Sequence, residues 1–251
     1  AIAATAVQLT AAFATAPKSN IIAAAETIVE RACPSSDYNN RLLIGRKAQL
    51  GEQMIYRSGM EIDSAKTYGE FDLGFFATAV SRALEGVREG ATFVDVGSGC
   101  GRLVFAATSL WPRESGVIAR YAGVEYVPEL HELALQGAAR LEMSSAEIEF
   151  YCADAADMLS AGGPLESADL LFSYSSSFAC EGDELSDYSA TCGTCLRVGT
   201  RIVTTDKRLV SVDGLWAFQL LERLEGPNAG TGGTSVAYVY EVVQSKRTRT
   251  R

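Results

Sequence analysis

The stretch Phe93-Val94-Asp95-Val96-Gly97-Ser98-Gly99-Cys100-Gly101-Arg102 constrains this chain more than any other. A β-branched run, ATFVDV at 91–96, ends in three alternating glycines and passes straight into the helical pattern LVFAATSLW at 103–111, which Pro112 closes. Glycines let a backbone turn tightly and approach a ligand closely, and the following helix N-terminus offers free N–H donors. A ligand site is therefore expected here, and the spacing selects the ligand. Dinucleotide sites use GxGxxG, whereas this turn is GxGxG with an acid, Asp95, two residues before the first glycine; it also lacks the Lys-Ser/Thr of a P-loop.

The rest of the chain alternates around that turn. Residues 20–32 carry apolar positions at helical spacing after Ser19 or Asn20 as a cap, with Pro34 just beyond; 41–66 are mixed and charged and end in a loop; 71–87 read as a helix stopped by Glu89-Gly90. Strands are predicted at 117–126, 147–152, 168–174 and 201–206, with a helix at 128–143 led by Pro128 and a polar loop and helix through 181–196. LWAFQLLERLE at 215–225 and TSVAYVYEVV at 234–243 form a terminal hairpin across GPNAGTGG. Strands alternating with helices imply an α/β fold whose mainly parallel sheet is covered on both faces. With the antiparallel hairpin, the pattern is a Rossmann-like, seven-stranded class I methyltransferase sheet with an N-terminal helical segment. The boundaries read are 1–66 for that segment, 67–243 for the main domain and 244–251 for a basic tail.

The form (V/L)DxGxGxG is that of a site for S-adenosylmethionine. Two further acids fall where a nucleoside needs them. Glu125, in Gly123-Val124-Glu125-Tyr126, ends the next strand and is placed to accept both ribose hydroxyls; Asp154 follows the third strand and is placed to accept from the adenine amino group. Three acids at the C-terminal ends of three successive strands lie at the edge where open α/β sheets bind ligands.

Composition removes other chemistries. With one histidine, His131, a multi-histidine metal site is impossible; a helix behind Glu125 also leaves that imidazole out of reach of an acceptor, so it is read as non-catalytic. Cys192 and Cys195 form a lone CxxC without the second ligand pair that a zinc ribbon needs, so the six cysteines are read as thiols in a reducing compartment and no metal is expected. A net charge of −9 argues against an extensive nucleic-acid surface, and no apolar run is long enough to span a membrane. A soluble, intracellular protein is expected, with the nucleus and an organelle interior equally open. The Ala-rich opening at 1–16 is read as an ordinary helix in preference to a remnant of a cleaved targeting region, since it lacks a basic n-region.

Taken together, Tyr68-Gly69-Glu70, FVDVGSGCGRLVFAA, Gly123-Val124-Glu125, Gly199-Thr200-Arg201-Ile202-Val203 and the segment 231–238, TGGTSVAY, resemble the disruptor-of-telomeric-silencing, non-SET histone lysine methyltransferase family over roughly residues 66–243. The resemblance implies a transferase in which Tyr68 and Glu70 belong to a loop closing over the methionine end of S-adenosylmethionine. Asp95, Gly97, Gly99, Gly101 and Arg102 would line the cofactor backbone, Glu125 and Tyr126 would hold the ribose, and Asp154 the adenine. Tyr68, Ser176, Phe178 and Tyr238 would surround the acceptor.

The sequence departs from that family on the acceptor side. The family's Asn-Asn-Phe run is replaced by Ser173-Tyr174-Ser175-Ser176-Ser177-Phe178-Ala179, whose hydroxyls reach less far than an amide carbonyl. The family's Trp of the final hairpin is absent, with Thr231 near its place, and the basic segment is reduced to the tail 245–251 with its four positive charges. Three readings remain at this level. The acceptor is a lysine of a basic, histone-like protein; or it is a small molecule; or the chain is a silent relative working within a larger assembly.

Overall fold

The computed structural model describes residues 19–56, 68–228 and 232–247. The expectations placed on 1–16, on 57–66, on Thr231 and on the last four residues of the tail lie outside the described residues.

Seven strands form one sheet: β1 (Ala91–Val96), β2 (Ile118–Glu125), β3 (Ile148–Cys152), β4 (Leu170–Ser173), β5 (Arg201–Thr205), β6 (Ala217–Pro227) and β7 (Thr234–Gln244), in the spatial order β3-β2-β1-β4-β5-β7-β6. The first five pair in parallel, and β7 runs antiparallel to both β5 and β6. This is the expected seven-stranded α/β sheet with its terminal hairpin. Each of the predicted strands is present, and β1 is buried at all six positions, as a central parallel strand covered on both faces must be.

Seven helices accompany the sheet among the described residues: α1 (Ser19–Ala32), α2 (Tyr38–Tyr56), α3 (Leu73–Leu84), α4 (Arg102–Leu110), α5 (Pro128–Arg140), α6 (Ala155–Leu159) and α7 (Ser186–Cys195). One core joins Val29, Ala32, Phe76, Val80, Phe93, Phe105 and Leu130, so α1, α3, α4 and α5 cover one sheet face. The other core gathers Val94, Val124, Leu159, Leu171, Cys192 and Ile202 between the opposite face and α6 and α7. Cys192 and Cys195 are buried within it, where burial pushes the Cys192 thiol upward.

Two elements differ from their expected extent for physical reasons. The helix read over 71–87 begins only at Leu73, because the Asp72 carboxylate caps it by accepting the Phe75 N–H at 2.8 Å. The mixed stretch after residue 41 is helical from Tyr38 to Tyr56. Asn39, Asn40 and Gly45 are weak helix formers, and the helix is held by tertiary contacts: Leu42 and Ile44 pack on the first core, and Arg41 is buried. None of the described helices is long and apolar enough to cross a membrane.

Candidate functional site

The C-terminal ends of β1, β2 and β3 open onto a cavity of about 500 Å³. That is within the range of roughly 300–1,000 Å³ typical of sites for small molecules and cofactors. Its wall includes Tyr68, Glu70, Asp95, Gly97, Gly99, Arg102, Glu125, Tyr126, Asp154 and Phe178, which are all but three of the residues proposed from sequence.

The glycine turn shapes one side. Gly97, Gly99 and Gly101 all have positive φ, at 77°, 55° and 84°, a region side chains rarely enter. A β-carbon at Gly99 would stand 3.0 Å from the Tyr68 ring, so the turn and the Tyr68 loop close on each other only because that atom is missing. Gly101 serves a different end. It does not line the cavity; a β-carbon there would meet the Phe150 ring at 2.7 Å and Phe105 at 2.9 Å, so it seats α4 against β3.

The three acids sit where the strands end but are held differently. Glu125 is buried, and its carboxylate accepts the Gly99 N–H at 2.7 Å and the Val127 N–H at 2.8 Å. Burial raises its pKa, and those backbone hydrogen bonds work against the rise. Asp95 is fully enclosed, and burial first, then the charges of Glu125 and Cys100, push its carboxyl well above the ordinary range. Asp154 is exposed and caps α6 by accepting the Ala156 N–H at 2.7 Å. Tyr126, 59% exposed, forms the outer rim.

On the opposite side the Tyr68 hydroxyl donates to Glu70 at 2.7 Å, and Glu70 also pairs with Arg102, Nε to Oε2 at 3.3 Å. Tyr68 is buried, and that burial pushes its phenol upward. Behind it Cys33 donates to the Cys100 carbonyl, and the Cys100 thiol is drawn down to about 7 by its hydrogen bond with Cys33, helped by Tyr68 and Arg41. Neither cysteine lines the large cavity.

The acceptor residues proposed from sequence are not all brought together. The 3₁₀ turn Ser175–Ser177 presents Ser177 and the following Phe178 to the cavity, while Ser176 turns away and hydrogen-bonds to Asp206 after β5. Tyr238 stacks on Tyr240 of β7 and is not part of the cavity wall. His131 is half-buried on α5 with Nδ1 unpaired and likewise lies outside the wall. Sequence reasoning missed Tyr188, which lines the cavity, packs edge-on against Phe178 and shares a 2.6 Å hydrogen bond with Ser173. Asp187 and Thr191 line it from the same helix. Helical spacing on α7 would have grouped these three, but nothing local said which way that face looked. Among the described residues no cluster of three or more His, Cys, Asp or Glu is placed to hold a metal ion.

A cofactor with an adenosyl group, a cationic sulfonium and an amino-acid end fits this donor set. Carboxylates would meet the nucleoside, the backbone cradle without β-carbons the middle, and Arg102 beside Glu70 the far end.

A family model described as a methyltransferase domain matches residues 88–231. No curated protein matches the chain's sequence. Among solved structures, the rRNA methyltransferase aviRa from Streptomyces viridochromogenes is similar at 16% identity and a TM-score of 0.47, over 69% of this chain and 86% of that one. A ribosomal protein L11 methylase from Lactobacillus delbrueckii subsp. bulgaricus is similar at 13% identity and a TM-score of 0.42, over 70% and 81%.

Proposed function

We propose a protein lysine as the acceptor for this chain, which belongs to the methyltransferase-domain family and works with S-adenosylmethionine. The observation that carries the reading is the seating of Tyr68, Gly69 and Glu70 on the same cavity as the glycine turn, Glu125 and Asp154. That combination of motifs is what the chain shares with the non-SET histone lysine methyltransferases.

Glu125, which keeps Gly99 in place, would hold the ribose hydroxyls, and Asp154 would take the adenine amino group. Arg102, on the cavity wall beside Glu70, would meet the amino-acid carboxylate. Bound there, S-adenosylmethionine supplies an electrophilic methyl group on a sulfonium sulfur. The chain's own task is then to bring a neutral amine into line with it and to exclude water. Tyr174, Phe178 and Tyr188 on the cavity wall do this: an aromatic, water-poor surround disfavours the ammonium form and lowers a lysine's pKa toward neutrality. A lysine ammonium would first lose its proton to water; the new N–CH3 bond would then form as the S–CH3 bond breaks, with S-adenosylhomocysteine as the leaving group.

A small-molecule acceptor is the second reading. It draws on the serine run that replaces the family's asparagines and on the net charge of −9. Incubation with methyl-labelled cofactor, core histones and a metabolite extract separates the two. Label in a histone lysine is the expected result, and label confined to the low-mass fraction replaces it with the second reading.

A further inference from the structure

Arg41 stands on α2, outside every motif, and only 2% of it is exposed. Its nitrogens are filled. Nε at 3.2 Å and Nη2 at 2.8 Å both donate to Glu70 Oε1, and Nη1 donates to the Pro34 carbonyl at 2.9 Å. The guanidinium also lies 5.9 Å from the Tyr38 ring centroid and 5.8 Å from that of Tyr68. The same Oε1 accepts the Tyr68 hydroxyl at 2.7 Å, while Oε2 faces Arg102. Glu70 is thus shared between a residue of the N-terminal helices, a residue of its own loop and the first residue of α4.

We propose that Arg41 is a positioning residue for methyl-donor binding, holding Tyr68 and Glu70 in place over the amino-acid end of the cofactor. The inference rests on the assignment of the Tyr68–Glu70 loop to that end. Three observations support it. Arg41 does not line the large cavity, so it acts through the loop; it faces a separate space of about 170 Å³ behind Glu70. A planar guanidinium with every edge engaged holds its partners in one geometry, which a flexible lysine does not. Two guanidiniums against one carboxylate leave a surplus positive charge at this end, suited to an amino acid's carboxylate. The N-terminal helices then complete the cofactor site as well as covering the core.

The test compares two ligands by isothermal titration: S-adenosylhomocysteine, and methylthioadenosine, which has the nucleoside but lacks the amino-acid end. Arg41→Leu should weaken S-adenosylhomocysteine about tenfold or more, as losing hydrogen bonds to a charged group does, and leave methylthioadenosine within about twofold. Arg41→Lys, which keeps the charge, should fall between. Arg41→Leu combined with Glu70→Gln should be no weaker than Glu70→Gln alone. Equal losses for both ligands, or fully additive losses, would mean that Arg41 serves the fold only, and an unchanged titration likewise overturns the proposal. If Glu70→Gln itself leaves S-adenosylhomocysteine binding as in the parent, the loop assignment fails, and this inference with it. If Glu70→Gln weakens binding and Arg41→Leu does not, the inference alone fails. Should the parent bind neither ligand, the cofactor assignment falls first.

Discussion

The two walls of the cavity are built on different principles. On the wall made by β1, β2 and β3, the acids Asp95, Glu125 and Asp154 are tied to backbone N–H groups or to nothing but their own burial. On the wall made by α7 and the loop after β4, polar side chains are spent on the protein itself: Ser173 pairs with Tyr188 and Ser176 with Asp206, while the Ser175 and Thr205 hydroxyls bond to each other's backbone. The first wall lines the cavity with carboxylates, whereas the second spends its hydrogen bonds on holding a loop and leaves an aromatic surface of Tyr174, Phe178 and Tyr188. On the proposed assignment, cofactor recognition would rest on strand ends, and acceptor recognition on a loop held by contacts between segments about thirty residues apart in sequence.

The contrast can be broken first at Gly101. An alanine there would take a left-handed φ of 84° and drive a β-carbon to 2.7 Å from Phe150. Overpacking together with backbone strain should cost about 2–4 kcal/mol of stability, read as a lower midpoint in urea unfolding. A midpoint equal to the parent's would mean that the turn is looser than its contacts say.

Glu125→Ala should weaken S-adenosylmethionine binding by about 1.5–3 kcal/mol, the range for hydrogen bonds to a charged group. It also strips the Gly99 and Val127 N–H groups of their acceptor, so the melting temperature should fall with it. Unchanged binding in a titration would remove the ribose from this strand end.

Asp95→Asn sharpens the comparison through pH. The native carboxyl titrates well above the 3.8 expected of an open chain, held there by burial and then by Glu125. The folded chain therefore keeps a proton that the unfolded chain has released once the pH passes 3.8, and this group's contribution is present in full below that value. It is lost as the pH rises through the raised native pKa. Asparagine carries no such loss, so without cofactor the variant's stability relative to the parent should rise as the pH climbs above 3.8. A melting-temperature difference between variant and parent that stays flat from pH 4 to 8 would contradict a raised pKa at the buried Asp95.

The smallest effects belong to the second wall. Ser176→Ala and Tyr238→Phe should each leave cofactor affinity within about 0.5 kcal/mol, as substitutions outside a binding site usually do. Methyl transfer at saturating cofactor should nonetheless slow in Ser176→Ala, because the serine ties the acceptor loop to Asp206. If both variants transfer at the parental rate, the acceptor does not approach past this loop.

Much of the first wall was legible in the chain alone. Gly97, Gly99, Gly101, Asp95 and Glu125 lie within or directly after strands whose β-branched runs declare themselves, and a strand end fixes where its last side chains go. The second wall was not legible to the same depth. Ser176 and Ser177 are chemically identical neighbours, and only the 3₁₀ turn decides which one faces the cavity. Tyr238 shared a sequence motif with the site but follows the alternation of β7 to the face that carries Tyr240. Arg41 had no local mark at all: its meaning lies in Glu70, Tyr68 and Pro34, which only folding brings to one guanidinium.

The sequence by itself determined the α/β class, the seven strands and the cofactor's identity, because hydrophobic period and the glycine-rich turn with acids at strand ends are properties of neighbours along the chain. The tertiary structure alone decided that α2 is a helix, that its arginine locks the Tyr68–Glu70 loop, and that Tyr188 in place of Tyr238 walls the cavity. Each of those outcomes depends on pairing or packing between residues far apart in sequence, and no local propensity encodes the energy of such a contact.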